Sequence, residues 1–298
     1  MPGGRRRTLF STSDEFSETT RELPASRPRV SSTELRRELS ARNLVLAEGL
    51  AHESTIGAVP SILYSDLNGR HGNFITASYR RICASPDWRL RLNKCYTASR
   101  QVARSRDRKR RELDCANSSD ALLMNIFCYP GLTSRRSVYQ LLGIEPGARP
   151  QFGVKARTPC AGGLCDRTEI DMTLGHLLVE AKLTEGGFQN ARRSLIDRYL
   201  GLAEVFDTDE LPAWKDGYRH YQLIRGVLAA HHSGRNFLLL CDSRRADLVE
   251  DWCSVLRAVR SCELRSRLAI LTWQELAVTL PPRLQEFLST KYGIFPAA

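Results

Sequence analysis

The sequence predicts a mixed α/β fold, in which helices pack on the faces of a β-sheet. Residues 168–185 alternate apolar and polar side chains at a period of two, which is typical of a hairpin of half-buried strands. The apolar runs 237–241 and 268–273 suit two further strands, of which the first shows no polar alternation and is expected to be buried. Helical patterns separate these strands, and such an alternation puts helices on the faces of one sheet.

The predicted hairpin brings two acidic residues opposite each other. Gly175-His176 suits a two-residue turn of type II′. Counting outward from this turn gives three facing pairs, which are Leu174 with Leu177, Met172 with Val179, and Asp171 with Glu180. Like charges directly opposite each other destabilise a sheet, so a cation is expected between these carboxylates. Hard oxygen ligands favour Mg²⁺, Mn²⁺ or Ca²⁺.

Lys182 shares a strand face with Glu180 because it follows two residues later. The hairpin therefore displays Asp171, Glu180 and Lys182 together, and we interpret the group as a metal site with a neighbouring ammonium group. The alternative is an exposed sheet face with a cross-strand ion pair, since the same register places Glu169 opposite Lys182.

Composition favours a polyanionic partner and a reducing compartment. The 298 residues carry a net charge of +11, which suits binding to nucleic acid or to an anionic membrane surface. No apolar run approaches the ~18 residues of a membrane span, so we expect no membrane insertion, and we expect a cytoplasmic location. The nine cysteines show no disulfide framework and are expected to be free; Cys160 and Cys165 lack partners at zinc-site spacing.

The first part of the chain divides into a tail and a helical region. Residues 1–31 are rich in Arg, Ser, Thr and Pro and predict a disordered basic tail. Residues 32–114 predict a mostly helical region, with one helix capped at Ser32 or Thr33 and a long polar helix from Pro86 to Glu112. Basic residues are dense between positions 100 and 111 and form either a solvated face or a phosphate-contacting face.

Residues 115–298 predict the core domain. Ser118-Ser119-Asp120 suits the N-cap of a helix over residues 121–128, and a strand follows over residues 151–157. After the hairpin, helical patterns cover four segments, which are residues 188–206, 218–231, 246–259 and 282–290.

Asp171 is followed, after eight residues, by Glu180-Ala181-Lys182, in a predicted order of helix, three strands, helices and further strands. This arrangement resembles the PD-(D/E)XK nuclease superfamily, although Ile170 stands where the family usually has proline. A closer resemblance is to a group of bacterial restriction endonucleases. Its carrying features are Ser118-Ser119 with Asn125, and Tyr221-Gln222-Leu223-Ile224-Arg225.

The resemblance implies a restriction-endonuclease-like sheet with a helical N-terminal extension and a catalytic site on the hairpin. Asp171, Glu180 and the main-chain carbonyl of Ala181 would hold Mg²⁺ or Mn²⁺. Lys182 would orient or help deprotonate the attacking water, or stabilise developing negative charge. Gln222 would lie near the metal ion.

The implied activity is hydrolysis of DNA phosphodiester bonds by a metal-dependent endonuclease, in restriction or defence. One alternative is a DNA repair or recombination nuclease of the same fold. An alternative of another class is a basic nucleic-acid-binding module that has lost turnover. Dimers are common where both strands are cut, which favours a homodimer. An acid from an early helix joins the site in some members of the superfamily, and the candidates are Glu48 and Glu53.

Overall fold

The structure, a computed structural model, describes residues 29–55, 60–95 and 110–297. Residues 1–28 of the predicted tail (residues 1–31) therefore lie outside the described residues. Most of the basic segment between positions 100 and 111 also lies outside them. No helix within the described ranges is long and apolar enough to cross a membrane.

Helices and short strands alternate along the described chain. The helices α1 to α12 are, in order, Ser32–Leu46, Thr76–Ala84, Pro86–Arg91, Ser119–Phe127, Arg136–Leu142, Arg193–Ile196, Leu202–Val205, Tyr221–Ser233, Ala246–Ala258, Cys262–Ser266, Trp273–Val278 and Pro282–Tyr292. The strands β1 to β14 are, in order, His52–Ser54, Ile62–Tyr64, Asp66–Leu67, Arg70–His71, Pro150–Lys155, Pro159–Cys160, Leu164–Cys165, Glu169–Leu174, Leu177–Ala181, Ala191–Arg192, Ala213–Trp214, Gly217–Tyr218, Asn236–Cys241 and Leu268–Thr272.

A five-stranded mixed sheet forms the centre of the molecule, with the strand order β14-β13-β9-β8-β5. Strand β13 is parallel to both of its neighbours, β14 and β9. Strand β8 is antiparallel to both of its own neighbours, β9 and β5. The predicted mixed α/β fold is confirmed, and the hairpin β8–β9 lies in the interior of this sheet.

The predicted register of the hairpin is confirmed next to its turn. The facing pairs are Leu174 with Leu177 and Met172 with Val179. Gly175 adopts φ +58°, which glycine reaches without strain and which the first position of a type II′ turn requires. The predicted third pair, Asp171 with Glu180, is not formed, because the ladder of facing residues ends at Met172. The Asp171 carboxylate instead accepts a hydrogen bond from the Ala181 N–H at 2.9 Å.

Helices cover both faces of the sheet, so the second hairpin strand is buried rather than half-buried. One apolar cluster joins the sheet to α8 and α9, with Leu223 and Trp252 among its members. The other joins the sheet to α1, α4, α11 and α12, with Leu39 and Leu122 among its members. Strand β9 is buried along its full length, which puts the charged side chain of Glu180 in the interior, where it requires a partner.

The predicted helix over residues 188–206 is wrong. The segment contains strand β10 and the one-turn helices α6 and α7, and β10 joins a small sheet with β12 and β11. Gly201 interrupts the helical path with φ +74°. The apolar residues that suggested a helix, including Phe188, Ile196 and Phe206, are buried from an irregular backbone instead.

The predicted helix from Pro86 to Glu112 is wrong in its length. Helix α3 ends at Arg91, residues 96–109 lie outside the described residues, and Glu112 begins a separate 3₁₀ turn. The chain turns after α3, which lets Arg91 and Lys94 both reach Asp120 on α4.

The other predicted helices and strands lie within a few residues of the observed bounds. Ser31, rather than Ser32 or Thr33, caps α1, and it forms a capping box with Glu34. Ser118 caps α4, in agreement with the predicted cap. Helices α5, α10 and α11 are additions that the sequence pattern does not predict.

Candidate active site

A cleft of about 550 Å³ opens beside the end of β9. Its walls come from α1, the loop that precedes α4, the glycine-containing segment after β9, and the first turn of α8. Helix α1 contributes Arg36, and the short segment after α3 contributes Lys94. Parts of the chain that are distant in sequence therefore converge on the end of one central strand.

Four of the five predicted site positions line this cleft. They are Asp171, Ala181, Lys182 and Gln222. Glu180 does not line the cleft, because its side chain points into the interior and the residue is only 1% exposed. The structure thus brings the predicted residues together, with Glu180 below the surface that the other four form.

Lys182 and Glu180 form a buried ion pair. Lys182 Nζ donates a hydrogen bond to Glu180 Oε1 at 2.6 Å. Arg225 Nη2 lies 3.9 Å from the other carboxylate oxygen of Glu180. Burial by itself lowers the pKa of Lys182, but the charges of Glu180 and Asp171 outweigh burial, so the pKa is raised. Lys182 is therefore an ammonium ion at neutral pH.

Asp171 lies on β8, and its carboxylate bonds across to β9 at the Ala181 N–H. Two other acids, Glu180 and Asp120, act on it electrostatically. Burial raises its pKa well above the ordinary value, and the charges of Glu180 and Asp120 raise it further. The Lys182 ammonium and the hydrogen bond from the Ala181 N–H act in the opposite direction. An added cation would relieve this repulsion among carboxylates.

The alternative ion pair between Glu169 and Lys182 is wrong. Glu169 instead accepts a hydrogen bond from Arg91 Nη1 at 2.6 Å, while Lys182 binds Glu180. The reason is that the facing register between β8 and β9 ends at Met172, so Glu169 lies beyond the paired part of the hairpin. Lys182 therefore forms no ion pair with Glu169, and its side chain stays at the cleft.

Gln222 reaches the cleft because the preceding loop fixes the start of α8. The Gln222 N–H donates to the Phe188 carbonyl at 3.0 Å. His220, the N-cap residue of α8, adopts φ +58° and turns the chain sharply into the helix. The side chain of Gln222 is partly buried and lies at the same cleft as Lys182.

A second charged network, centred on Asp120, lies beside the cleft. The sequence pattern does not predict it. Arg91 Nη2 donates to Asp120 Oδ2 at 2.9 Å, and Lys94 Nζ donates to the same oxygen at 2.7 Å. Glu112 also pairs with Lys94, at 3.0 Å. The sequence signal was the acid in the predicted cap Ser118-Ser119-Asp120, but the basic partners come from a segment whose fold the pattern did not resolve.

Neither early acid that the family resemblance suggested lies at the cleft. Glu48 and Glu53 are both exposed, and neither is among the lining residues. Glu48 follows the end of α1, and Glu53 lies in the small β1–β2 hairpin, which is separate from the sheet that contains β9. The acid from the N-terminal side that lines the cleft is Glu112, and the buried Asp120 reaches it through Lys94.

Of the predicted metal-ligand positions, Asp171 and Ala181 line the cleft, whereas the Glu180 carboxylate lies beneath it and is bonded to Lys182. Among the residues that the structure describes, no group of three or more His, Cys, Asp or Glu side chains is arranged to hold a metal ion. Oxygen donors at Asp171 and Glu180 nevertheless suit Mg²⁺, which keeps several water ligands and needs few protein groups. The nine cysteines form no disulfide in the structure.

The central mixed sheet, its flanking helices and the charged hairpin define a protein of the restriction-endonuclease-like class. A family model described as Restriction Endonuclease associating with ARP matches residues 48–293, and the chain belongs to this family. The family is one of nucleases that act in defence, and it implies DNA as the substrate. No curated protein and no solved structure matches the chain.

Proposed function

We propose that this chain is a Mg²⁺- or Mn²⁺-dependent endonuclease that hydrolyses DNA phosphodiester bonds in restriction or defence. The observation that carries the proposal is the convergence of Asp171, Lys182 and Gln222 on one cleft, with Glu180 bonded to Lys182 directly beneath it. The restriction-endonuclease family supports the reaction class. A net charge of +11 supports a polyanionic substrate.

Asp171, Glu180 and the main-chain carbonyl of Ala181 would hold the metal ion. Burial, together with the charges of Glu180 and Asp120, raises the pKa of Asp171, and a cation beside this carboxylate would favour its charged form. A divalent cation bound there supplies Lewis-acid polarisation of the phosphate and a more acidic water.

Lys182 provides a fixed positive charge at the reacting phosphate. Glu180 holds its ammonium group by the 2.6 Å hydrogen bond, so little reorganisation is needed when negative charge develops in the transition state. Its hydrogen bond to Glu180 suits Lys182 to stabilise negative charge and to orient the water. Gln222 can donate and accept hydrogen bonds in the same cleft, which suits it to orient the water or a phosphate oxygen.

The experiment that tests this proposal is cleavage of supercoiled plasmid DNA by the purified full chain. We expect nicking or linearisation with Mg²⁺ or Mn²⁺, which a chelator abolishes. Lys182→Met should lower the rate at least about 100-fold while DNA binding persists, because it removes a transition-state charge but not the surface of the molecule. The matched control is Lys215→Met, which removes an exposed lysine on the β11–β12 turn and should keep the wild-type rate.

The products separate the alternatives. Discrete fragments indicate restriction, whereas cutting confined to flaps, junctions or lesions indicates a repair or recombination nuclease. Pure protein that binds DNA but never cuts it, with any divalent cation, would overturn the proposal in favour of a nucleic-acid-binding module. The homodimer and the cytoplasmic location stay predictions.

A further inference from the structure

Lys94 is a second lysine of the cleft, and it comes from a part of the chain distant in sequence from β9. It follows α3, lines the same cleft as Lys182, and has a side chain that is 21% exposed. Its Nζ lies 2.7 Å from Asp120 Oδ2 and 3.0 Å from Glu112 Oε2. One ammonium group thus bridges two carboxylates at the edge of the candidate active site.

The two carboxylates that hold Lys94 belong to the electrostatic environment of the predicted metal ligands. Asp120 is 3% exposed, and its charge acts on Asp171. Glu112 lines the cleft, and the charges of Asp120 and Glu185 act on it. Oxygen donors of this kind, beside a phosphodiesterase centre, are what a second divalent cation binds in two-metal nucleases.

We propose that the Lys94 ammonium takes the place of a second metal ion, so that the chain binds one divalent cation rather than two. The inference rests on the proposed nuclease function, since it concerns the same cleft. Lys94 supplies a fixed positive charge between Asp120 and Glu112, whereas Lys182 and the single cation act at Asp171 and Glu180.

The contrast with Arg91 explains why Lys94, and not its neighbour, has this role. Arg91 also binds Asp120, but it is 8% exposed, does not line the cleft, and divides its hydrogen bonds between Asp120 and Glu169. It fixes α3 and α4 to β8. Lys94 and Glu112 both line the open cleft, and the Lys94 ammonium lies between that cleft and the buried Asp120, in the position that a hydrated metal ion would otherwise take.

The test is a Mn²⁺ titration of the full chain without DNA, followed by the electron paramagnetic resonance signal of free Mn²⁺. Wild type should bind one ion per chain, and Asp171→Asn should lose it. Lys94→Met, which keeps the side-chain length but removes the charge, should bind two. Lys94→Arg keeps the charge and should bind one. The double variant Lys94→Met with Asp120→Asn should return to one, because the second site has then lost one of its two carboxylates.

Three results would overturn the inference and leave the nuclease proposal intact. They are two ions bound by the wild type, one ion bound by a folded Lys94→Met, or two ions bound by Lys94→Arg. A wild type that binds no Mn²⁺ would instead remove the metal-dependent function and the inference together. If Lys94→Met does not give a native thermal transition, Lys94→Gln, which also removes the charge, takes its place; it should bind two ions, and one ion bound by it would overturn the inference. Lys215→Met should bind one ion, as the control.

Discussion

Arg91 holds two carboxylates from different elements at once, and one glycine makes this possible. Its guanidinium donates to Asp120 on α4 and to Glu169 on β8. To do so it passes across β5 at Gly153, where a Cβ atom would lie only 2.2 Å from Arg91 Nη1. Gly153 also adopts φ +65°, in the left-handed region that favours glycine.

We therefore predict that Gly153→Ala destabilises the protein by two separate effects. The left-handed backbone costs an L-residue about 1–2 kcal/mol, and displacement of Arg91 leaves Asp120 with a weaker set of partners. The free energy of unfolding should fall by about 2–4 kcal/mol, as measured by urea denaturation.

Gly162→Ala is the matched control for this substitution. Gly162 has a similar φ of +72°, but no atom lies within 4 Å of the position that an added Cβ would occupy, so only the backbone effect applies. It should lose about 1–2 kcal/mol. Equal losses for the two variants would mean that the path of Arg91 over Gly153 has no energetic consequence.

At the scale of elements, a buried lysine joins the last helix to the first. Lys291 on α12 is 2% exposed, and its Nζ donates to the Asn43 amide oxygen on α1 at 2.6 Å. The same nitrogen lies 4.3 Å from the centre of the Tyr64 ring. Because burial is not offset by a carboxylate, the pKa of Lys291 is lowered well below its ordinary value.

This burial predicts a stability that rises with pH. Above the folded-state pKa of Lys291 the unfolded chain binds one proton more than the folded chain, up to the ordinary lysine pKa of about 10.4. Lys291 thus adds a slope of at most about 1.4 kcal/mol per pH unit in that window. Lys291→Met should remove the slope and be more stable than wild type at neutral pH, in denaturant titrations at several pH values.

Asn43 is not left without a partner by this substitution, because the Tyr64 hydroxyl also donates to its amide oxygen at 3.2 Å. Lys215→Met, on an exposed turn, should leave the slope unchanged. If Lys291→Met keeps the wild-type slope and is less stable at neutral pH, then Lys291 is charged in the folded protein and this account of α12 is wrong.

Sequence patterns predicted correctly those elements whose conformation is determined by their own residues. The hairpin β8–β9 combines a period of two with a glycine turn, and both signals lie within its own residues. Residues 188–206 failed because Phe188 and Phe206 are buried by contacts with distant helices, whatever their own backbone conformation. The predicted strand 268–273 took in the first residue of α11 and the rest of that helix was not predicted, although Thr272 and Glu275 form a capping box that marks its start.

The residues of the candidate site also fall into two groups, those that the sequence relates in space and those that only packing brings together. Asp171, Glu180 and Lys182 lie within twelve residues on one hairpin, so the sequence alone relates them in space. Lys94 reaches the same cleft, with Asp120 bonded to it, only through the packing of α3 and α4 against the sheet, and no spacing in the sequence encodes that.

At the scale of the whole molecule, the cleft depends on the packing of the first helix, α1, against the last helix, α12. Helix α1 packs with α12 in the apolar cluster on one sheet face, and from that position Arg36 extends to the cleft. The matched family region, residues 48–293, contains every residue of the candidate catalytic group. A single cleft that combines β9 with N-terminal elements is therefore the basis of the proposed activity.

The most direct test of the central claim is the rate of Mg²⁺-dependent DNA cleavage by wild type and by Asp171→Asn at equal DNA occupancy. Asparagine keeps the size of the side chain and an oxygen that can accept from the Ala181 N–H, but it loses the charge that a metal ion requires. We predict cleavage by wild type, a loss of at least about 100-fold in Asp171→Asn, and an unchanged rate in Asp216→Asn, which alters an exposed turn. Absence of cleavage by wild type, or a wild-type rate in Asp171→Asn, would contradict the claim.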